Sequence, residues 1–94
     1  MNSVQPNSKP DLYVVARIIS VLKNEGGVKR TELATKTGVA YDRLSKYVDW
    51  MNQEGLLKID EEGNISLTKI GIETYDRLVK WILQYVGKLK FPRF

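Results

Sequence analysis

Thr31-Glu32-Leu33-Ala34-Thr35-Lys36-Thr37-Gly38-Val39-Ala40-Tyr41-Asp42-Arg43-Leu44 is the stretch on which the fold turns. Thr31 can cap a short helix from Glu32 to Thr37, with Leu33 and Ala34 facing inward, because a hydroxyl there satisfies free N–H groups of the first turn. Gly38 breaks that helix after less than two turns. A second helix is predicted from about Tyr41 to Glu54, closed by Gly55. Leu44, Val48 and Met51 fall within roughly 60° of one another at 100° per residue, with Tyr47 on the flank and Asp42, Lys46, Asp49 and Gln53 on the opposite side. Ala40 occupies the cap position, so this helix forgoes about 1 kcal/mol of capping.

Toward the N-terminus, residues 1–10 (MNSVQPNSKP) are polar, hold two of the three prolines, and read as a flexible arm. Ser8-Lys9-Pro10-Asp11 is a helix start, with Ser8 as cap, Pro10 in the first turn and Asp11 reaching back. Leu12, Val15, Ile19 and Leu22 then step three, four and three, one apolar face of a helix that Gly26-Gly27 ends. Val28-Lys29-Arg30 is a short extended link.

Toward the C-terminus, Leu56 to Asp60 and Ile65 to Leu67 are short alternating segments around the turn cluster Glu61-Glu62-Gly63-Asn64, a β-hairpin. Thr68 caps a last helix over about Lys69 to Leu89, and at 1.5 Å per residue its length is about 32 Å. That is long for a chain of 94 residues, which is one domain in size.

Composition removes most chemistry. The chain has no His and no Cys, which excludes imidazole bases, Ser-His and Cys-His nucleophiles, zinc fingers and disulfide frameworks. No pair of carboxylates stands in an acid/base setting, so no enzyme, cofactor or metal is expected. Fifteen Lys and Arg against 11 Asp and Glu give a formal charge of +4 and a pI near 9.4, which points to a polyanionic partner. The charge is unevenly placed: residues 1–30 carry +3, residues 31–55 carry −1, residues 56–76 carry −3 and residues 77–94 carry +5. The longest uncharged run in the C-terminal half, Trp81 to Gly87, is far short of the roughly 20 residues of a membrane span. No membrane association is expected, and the default location is cytoplasmic.

The order helix, helix, glycine turn, helix, hairpin, helix resembles the winged helix-turn-helix plan: mainly α with a small β-hairpin wing (α-α-α-β-β-α). Ala34, Gly38, Val39 and Leu44 match the helix-turn-helix of prokaryotic regulators. Gln53-Glu54-Gly55-Leu56-Leu57 resembles the junction into the wing, and Leu67-Thr68-Lys69-Ile70-Gly71 the step out of it. The match covers residues 11–75. The long apolar helix after it resembles that of small archaeal winged-helix regulators and chromatin proteins, which dimerise through a C-terminal coiled coil.

The resemblance implies double-stranded DNA as partner, with the third helix in the major groove. Tyr41, Asp42, Arg43, Ser45 and Lys46 would then approach base edges, Arg43 being suited to guanine O6 and N7. Asp42 has two open roles, accepting from cytosine N4 or favouring the positive helix end. Lys29, Arg30, Thr31 and Lys36 would hold phosphates. All of these residues also fit an ordinary solvated helix surface. Asp60, Glu61 and Glu62 make the wing acidic, so it is expected to complete the core rather than lie along DNA.

In the last helix Gly71, Tyr75, Leu78, Ile82, Tyr85 and Leu89 keep heptad spacing. Gly71 should permit close approach to the body. A homodimer is expected over residues 76–94, a dimerisation helix and basic tail, with Tyr75, Leu78, Trp81, Ile82, Tyr85, Val86 and Leu89 in the contact. Folding back on helix 1 within one chain is the alternative. The function expected is a homodimeric, nucleoid-associated DNA-binding regulator, sequence-specific or architectural; the competing one is a protein–protein adaptor without nucleic acid.

Overall fold

A computed structural model describes residues 10–88, the side chains of Val79 and of residues 82–88 excepted. Among the described residues four helices and a two-stranded antiparallel sheet follow in the order α1 (Leu12–Asn24), α2 (Arg30–Thr37), α3 (Tyr41–Gln53), β1 (Leu57–Ile59), β2 (Ile65–Leu67) and α4 (Lys69–Lys88). The order is the α-α-α-β-β-α plan that the sequence predicts.

Helix α1 is capped by Asp11 itself, whose Oδ1 accepts the Tyr13 N–H at 2.9 Å. The cap expected at Ser8 lies outside the described residues. Val14, Val15, Ile18, Ile19 and Leu22 are the buried face. Leu12, expected in that face, is exposed: the stripe is centred nearer Ile18, and Leu12 falls roughly 90° away from it.

Val28 forms an antiparallel bridge with Ile65, donating its N–H at 3.1 Å and accepting the Ile65 N–H at 2.8 Å. The chain stays extended through Lys29, so α2 begins at Arg30 and its cap position is Lys29, which makes no side-chain capping bond. Thr31, expected as the cap, is displaced into the first turn. Leu33, Ala34 and Thr37 are buried beneath α2, and the Thr37 hydroxyl is satisfied by the Leu33 carbonyl at 2.7 Å. Gly38 turns the chain with φ of 72°, the left-handed region that glycine enters without steric cost. Helix α3 then leaves from Ala40, which offers no side-chain cap.

The hairpin pairs Leu57 with Leu67, Lys58 with Ser66 and Ile59 with Ile65. Leu57 and Ile65 join Ile18, Ile19, Leu33, Leu44, Val48 and Met51 at the centre of the core. Apolar burial of these side chains, worth about 1.5–3 kcal/mol each, fixes α3 against α2 and the hairpin. At the last junction the Thr68 hydroxyl donates to the Gly55 carbonyl at 2.6 Å and accepts the Gly71 N–H at 3.0 Å. Thr68 is thus the cap of α4 that the sequence predicts.

Candidate nucleic-acid interface

Burying Leu44, Val48 and Met51 forces the opposite side of α3 outward, and Asp42, Lys46, Asp49 and Gln53 are all exposed there. Tyr41 and Arg43 are exposed at the first turn. Tyr41, Asp42, Arg43 and Lys46 are thus all exposed at the start of α3, Asp42 and Lys46 on the outer face and Tyr41 and Arg43 on opposite flanks. Ser45 stands apart from them: half-buried, it accepts from the Arg30 guanidinium through both its hydroxyl and its carbonyl. The second amino group of Arg30 donates to Asp49 Oδ1 at 2.7 Å. Arg30, expected among the phosphate ligands, is here a tether between α2 and α3.

The other basic side chains expected at phosphates have partners within the chain. The Lys29 ammonium donates to the Glu62 carbonyl at 2.7 Å, tying the start of α2 to the wing tip. Lys36 lies 3.2 Å from Glu25 and 4.0 Å from Glu32. Both pairs with Lys36 are exposed, a setting in which ion pairs contribute about 0–1 kcal/mol. Such contacts yield readily to a stronger anion. Thr31 is exposed at the first turn of α2.

Three participants escape sequence reasoning. Tyr47 extends along the flank of α3, and its phenol oxygen accepts the backbone N–H of Asp11 at 2.8 Å. Asp11 Oδ2 lies 3.7 Å from Arg43 Nη2, and the Arg43 guanidinium sits 5.7 Å from the Tyr47 ring centroid. Arg17 donates to the Thr37 carbonyl, at the turn between α2 and α3, while lying 5.7 Å from the Tyr13 ring. The contacts of Asp11 with Tyr47 and Arg43, and of Arg17 with Thr37, are long-range meetings that no local spacing encodes, whereas the two ring contacts are i,i+4 neighbours on their own helices.

The wing is acidic at its tip, but Asp60 is turned inward on the loop. Its Oδ1 accepts the N–H groups of Glu62 and Asn64, each at 2.9 Å, and its Oδ2 accepts from the Asn64 amide at 3.2 Å. The Asn64 bonds, backbone first and side chain second, hold the Asp60 carboxyl below its ordinary value, with smaller help from the Glu62 N–H and the Lys29 charge. Glu61 and Glu62 remain exposed.

Along α4, Tyr75 packs against the domain's own core, and the Lys23 ammonium lies 4.9 Å from its ring. Lys23 also lies 3.6 Å from Asp76. Tyr75, expected in a subunit contact, is thus engaged with α1 of the same chain. Leu78 is half-buried, and Trp81 is 57% exposed. Ile82, Tyr85, Val86 and Leu89, expected in the same contact, lie outside the described side chains. Among the described residues no helix is long and apolar enough to cross a membrane, and no three His, Cys, Asp or Glu side chains converge into a metal site.

The family model described as winged helix-turn-helix matches residues 11–84. A MarR family transcriptional regulator from Silicibacter pomeroyi DSS-3 is similar in structure, with a TM-score of 0.66 at 22% identity over 82% of this chain and 57% of that one. A MarR/EmrR family transcriptional regulator from Acinetobacter sp. ADP1 gives 0.66 at 21% identity, over 80% of this chain and 55% of the other. The ORF112-Zalpha protein of Cyprinid Herpesvirus3, whose binding mode to Z-DNA has been described, gives 0.59 at 15% identity, over 64% of this chain and 100% of that one. Identities this low establish a shared fold. The chain spans a little over half the length of the two MarR-family proteins. A search of curated proteins finds no match.

Proposed function

The chain belongs to the winged helix-turn-helix family, and from that premise we propose that it binds double-stranded DNA as a homodimeric transcriptional regulator, with α3 in the major groove. The observation that carries this proposal is the exposed start of α3, where Asp42 and Lys46 stand opposite the buried Leu44, Val48 and Met51 and Tyr41 and Arg43 are exposed on the two flanks. A helix presented this way brings its first turns to base edges while the preceding helix crosses the backbone. Arg43 suits guanine O6 and N7, and Lys46 serves a neighbouring acceptor or phosphate. Lys29, Thr31 and Lys36 fall to phosphates, the intramolecular partners of the two lysines being exposed carboxylates or a wing carbonyl. Arg30 and Ser45 hold α2 and α3 at a fixed angle.

Support for the homodimer is the heptad spacing of α4 in the sequence, from Gly71 to Leu89, together with the exposure of Trp81 beside that stripe. Two copies would read half-sites about 34–36 Å apart or a multiple of that. Catalysis has no place in this proposal, since neither His nor Cys occurs in the chain. A cytoplasmic, nucleoid-associated protein follows from the same function.

The test is a mobility shift with duplex DNA at physiological salt, comparing the wild type with the double variant Arg43→Ala/Lys46→Ala. Loss of the complex in the variant supports the proposal; equal binding overturns it. Similar affinity for every sequence, with a salt slope near the full phosphate count, identifies the architectural form of the same function. One observation favours a second function, a protein–protein adaptor: Asp42 and Asp49 sit on the outer face of α3, and Glu61 and Glu62 on the wing tip. Partner capture that survives the double substitution would select it.

A further inference from the structure

Asp11 carries more charge than its structural role requires. Its Oδ1 caps α1 at 2.9 Å from the Tyr13 N–H, a task that Asn or Ser performs about as well as Asp. The second oxygen, Oδ2, faces another element altogether, 3.7 Å from Arg43 Nη2 on α3. The approach is a built one. The Asp11 backbone N–H donates to the Tyr47 hydroxyl at 2.8 Å, and the Tyr47 ring lies beside the Arg43 guanidinium at 5.7 Å. Tyr47 thus fixes the start of α1 against the flank of α3, and the carboxylate is delivered to the one arginine in the first turns of that helix.

We propose that Asp11 is an intramolecular rival of DNA for Arg43, a residue that restrains non-specific binding by occupying the guanidinium in the free protein. The inference rests on the DNA-binding function proposed above. Both side chains are about half exposed, 55% for Arg43 and 49% for Asp11, so solvent screens the pair and an incoming anion can break it. A single phosphate of random DNA offers Arg43 one charge in exchange for the one it gives up. A guanine edge offers two parallel hydrogen bonds, and the balance then tips toward release of Asp11.

The experiment compares Asp11→Asn with the wild type, each in the native and in the Arg43→Gln background, using fluorescence anisotropy with a short duplex of random sequence across a salt series. Asn keeps the cap, and the melting temperature of each variant verifies that α1 is intact. Asp11→Asn is expected to tighten binding about two- to fivefold at low salt, with the gain fading as salt rises. In the Arg43→Gln background, compared at a salt concentration low enough for its remaining phosphate contacts to bind measurably, that gain should vanish. Wild-type binding that Asp11→Asn leaves unchanged or weakens overturns the inference and leaves the DNA-binding function standing. An equal gain in both backgrounds overturns it too, because Asp11 would then repel phosphate directly. Absence of any wild-type binding removes the function and this inference together.

Discussion

The backbone of α4 at Gly71 rests directly on the carbonyl of Leu56. A Cβ at Gly71 would overlap the Leu56 oxygen and stand 3.1 Å from its carbonyl carbon and 3.3 Å from Leu67 Cδ2. The oxygen has no freedom to retreat, since it accepts the Thr68 N–H at 3.1 Å. Gly71→Ala should therefore destabilise the fold by about 1–3 kcal/mol or more, lowering the melting temperature by about 4–8 °C per kcal/mol. Gly26→Ala, with nothing within 4 Å of the added carbon, is the control and should melt close to the wild type. Equal melting of the two variants would refute the close seating of α4.

Arg43 and Lys46 should separate in a salt titration. Each charge that meets a phosphate contributes a slope near one in log affinity against log salt. Lys46→Ala is expected to weaken binding about equally on all sequences. Arg43→Ala should cost about 1–3 kcal/mol and relax preference at one base pair. Identical profiles for the two variants would contradict a base-reading arginine.

Arg30 has an architectural part distinct from charge. Arg30→Ala removes the bonds to Ser45 and Asp49 and should lower stability in urea by about 1 kcal/mol. Arg30→Lys should recover little of this, because an ammonium lacks the planar fork that reaches both acceptors. Full recovery by Lys would show that only the charge matters.

The wing should respond to acid. The carboxyl of Asp60 titrates below its unfolded value in the fold, mainly through the Asn64 N–H and amide, so its contribution is complete above the unfolded value of about 4. It declines as pH falls through the lower folded value. Amide exchange at Glu62 and Asn64 should quicken in that window in the wild type. In Asp60→Asn the same amides should show no such step; a step in both would assign it to another group.

Trp81→Glu should leave the body folded and halve the mass measured by light scattering, if α4 is the subunit contact. A charge introduced into an apolar contact loses hydration without gaining a partner. A dimer that persists in the variant would locate the contact elsewhere.

Much of the fold is legible because its signals are local. The 3.6-residue period of Leu44, Val48 and Met51, the left-handed turn at Gly38 and the turn cluster at residues 61–64 each lie within a few residues. Gly71 was likewise readable as a place of close approach. The side-chain network was less legible. Lys36 pairs with Glu32 at i,i+4, a spacing visible in sequence, but its nearer partner Glu25 is on the preceding loop. Arg30 reaching Ser45 and Asp49, Lys29 reaching the wing, and Asp11 reaching Arg43 depend on how helices are placed. Long flexible stems leave no periodic trace of where their heads settle. Leu12 shows the converse: a regular spacing put it in the core, and the actual centre of the helix stripe left it outside.

The bridge between Val28 and Ile65 orders events during synthesis. Val28 leaves the ribosome well before the strand that will receive it, so α1 and α2 emerge with their joining segment unpaired. Local helices form on their own timescale, but closure of the body waits on a residue translated much later, since a distant pairing must overcome the entropy of the intervening loop. A chain ended before Ile65 would contain the sequence of the first three helices and lack the strand that receives Val28.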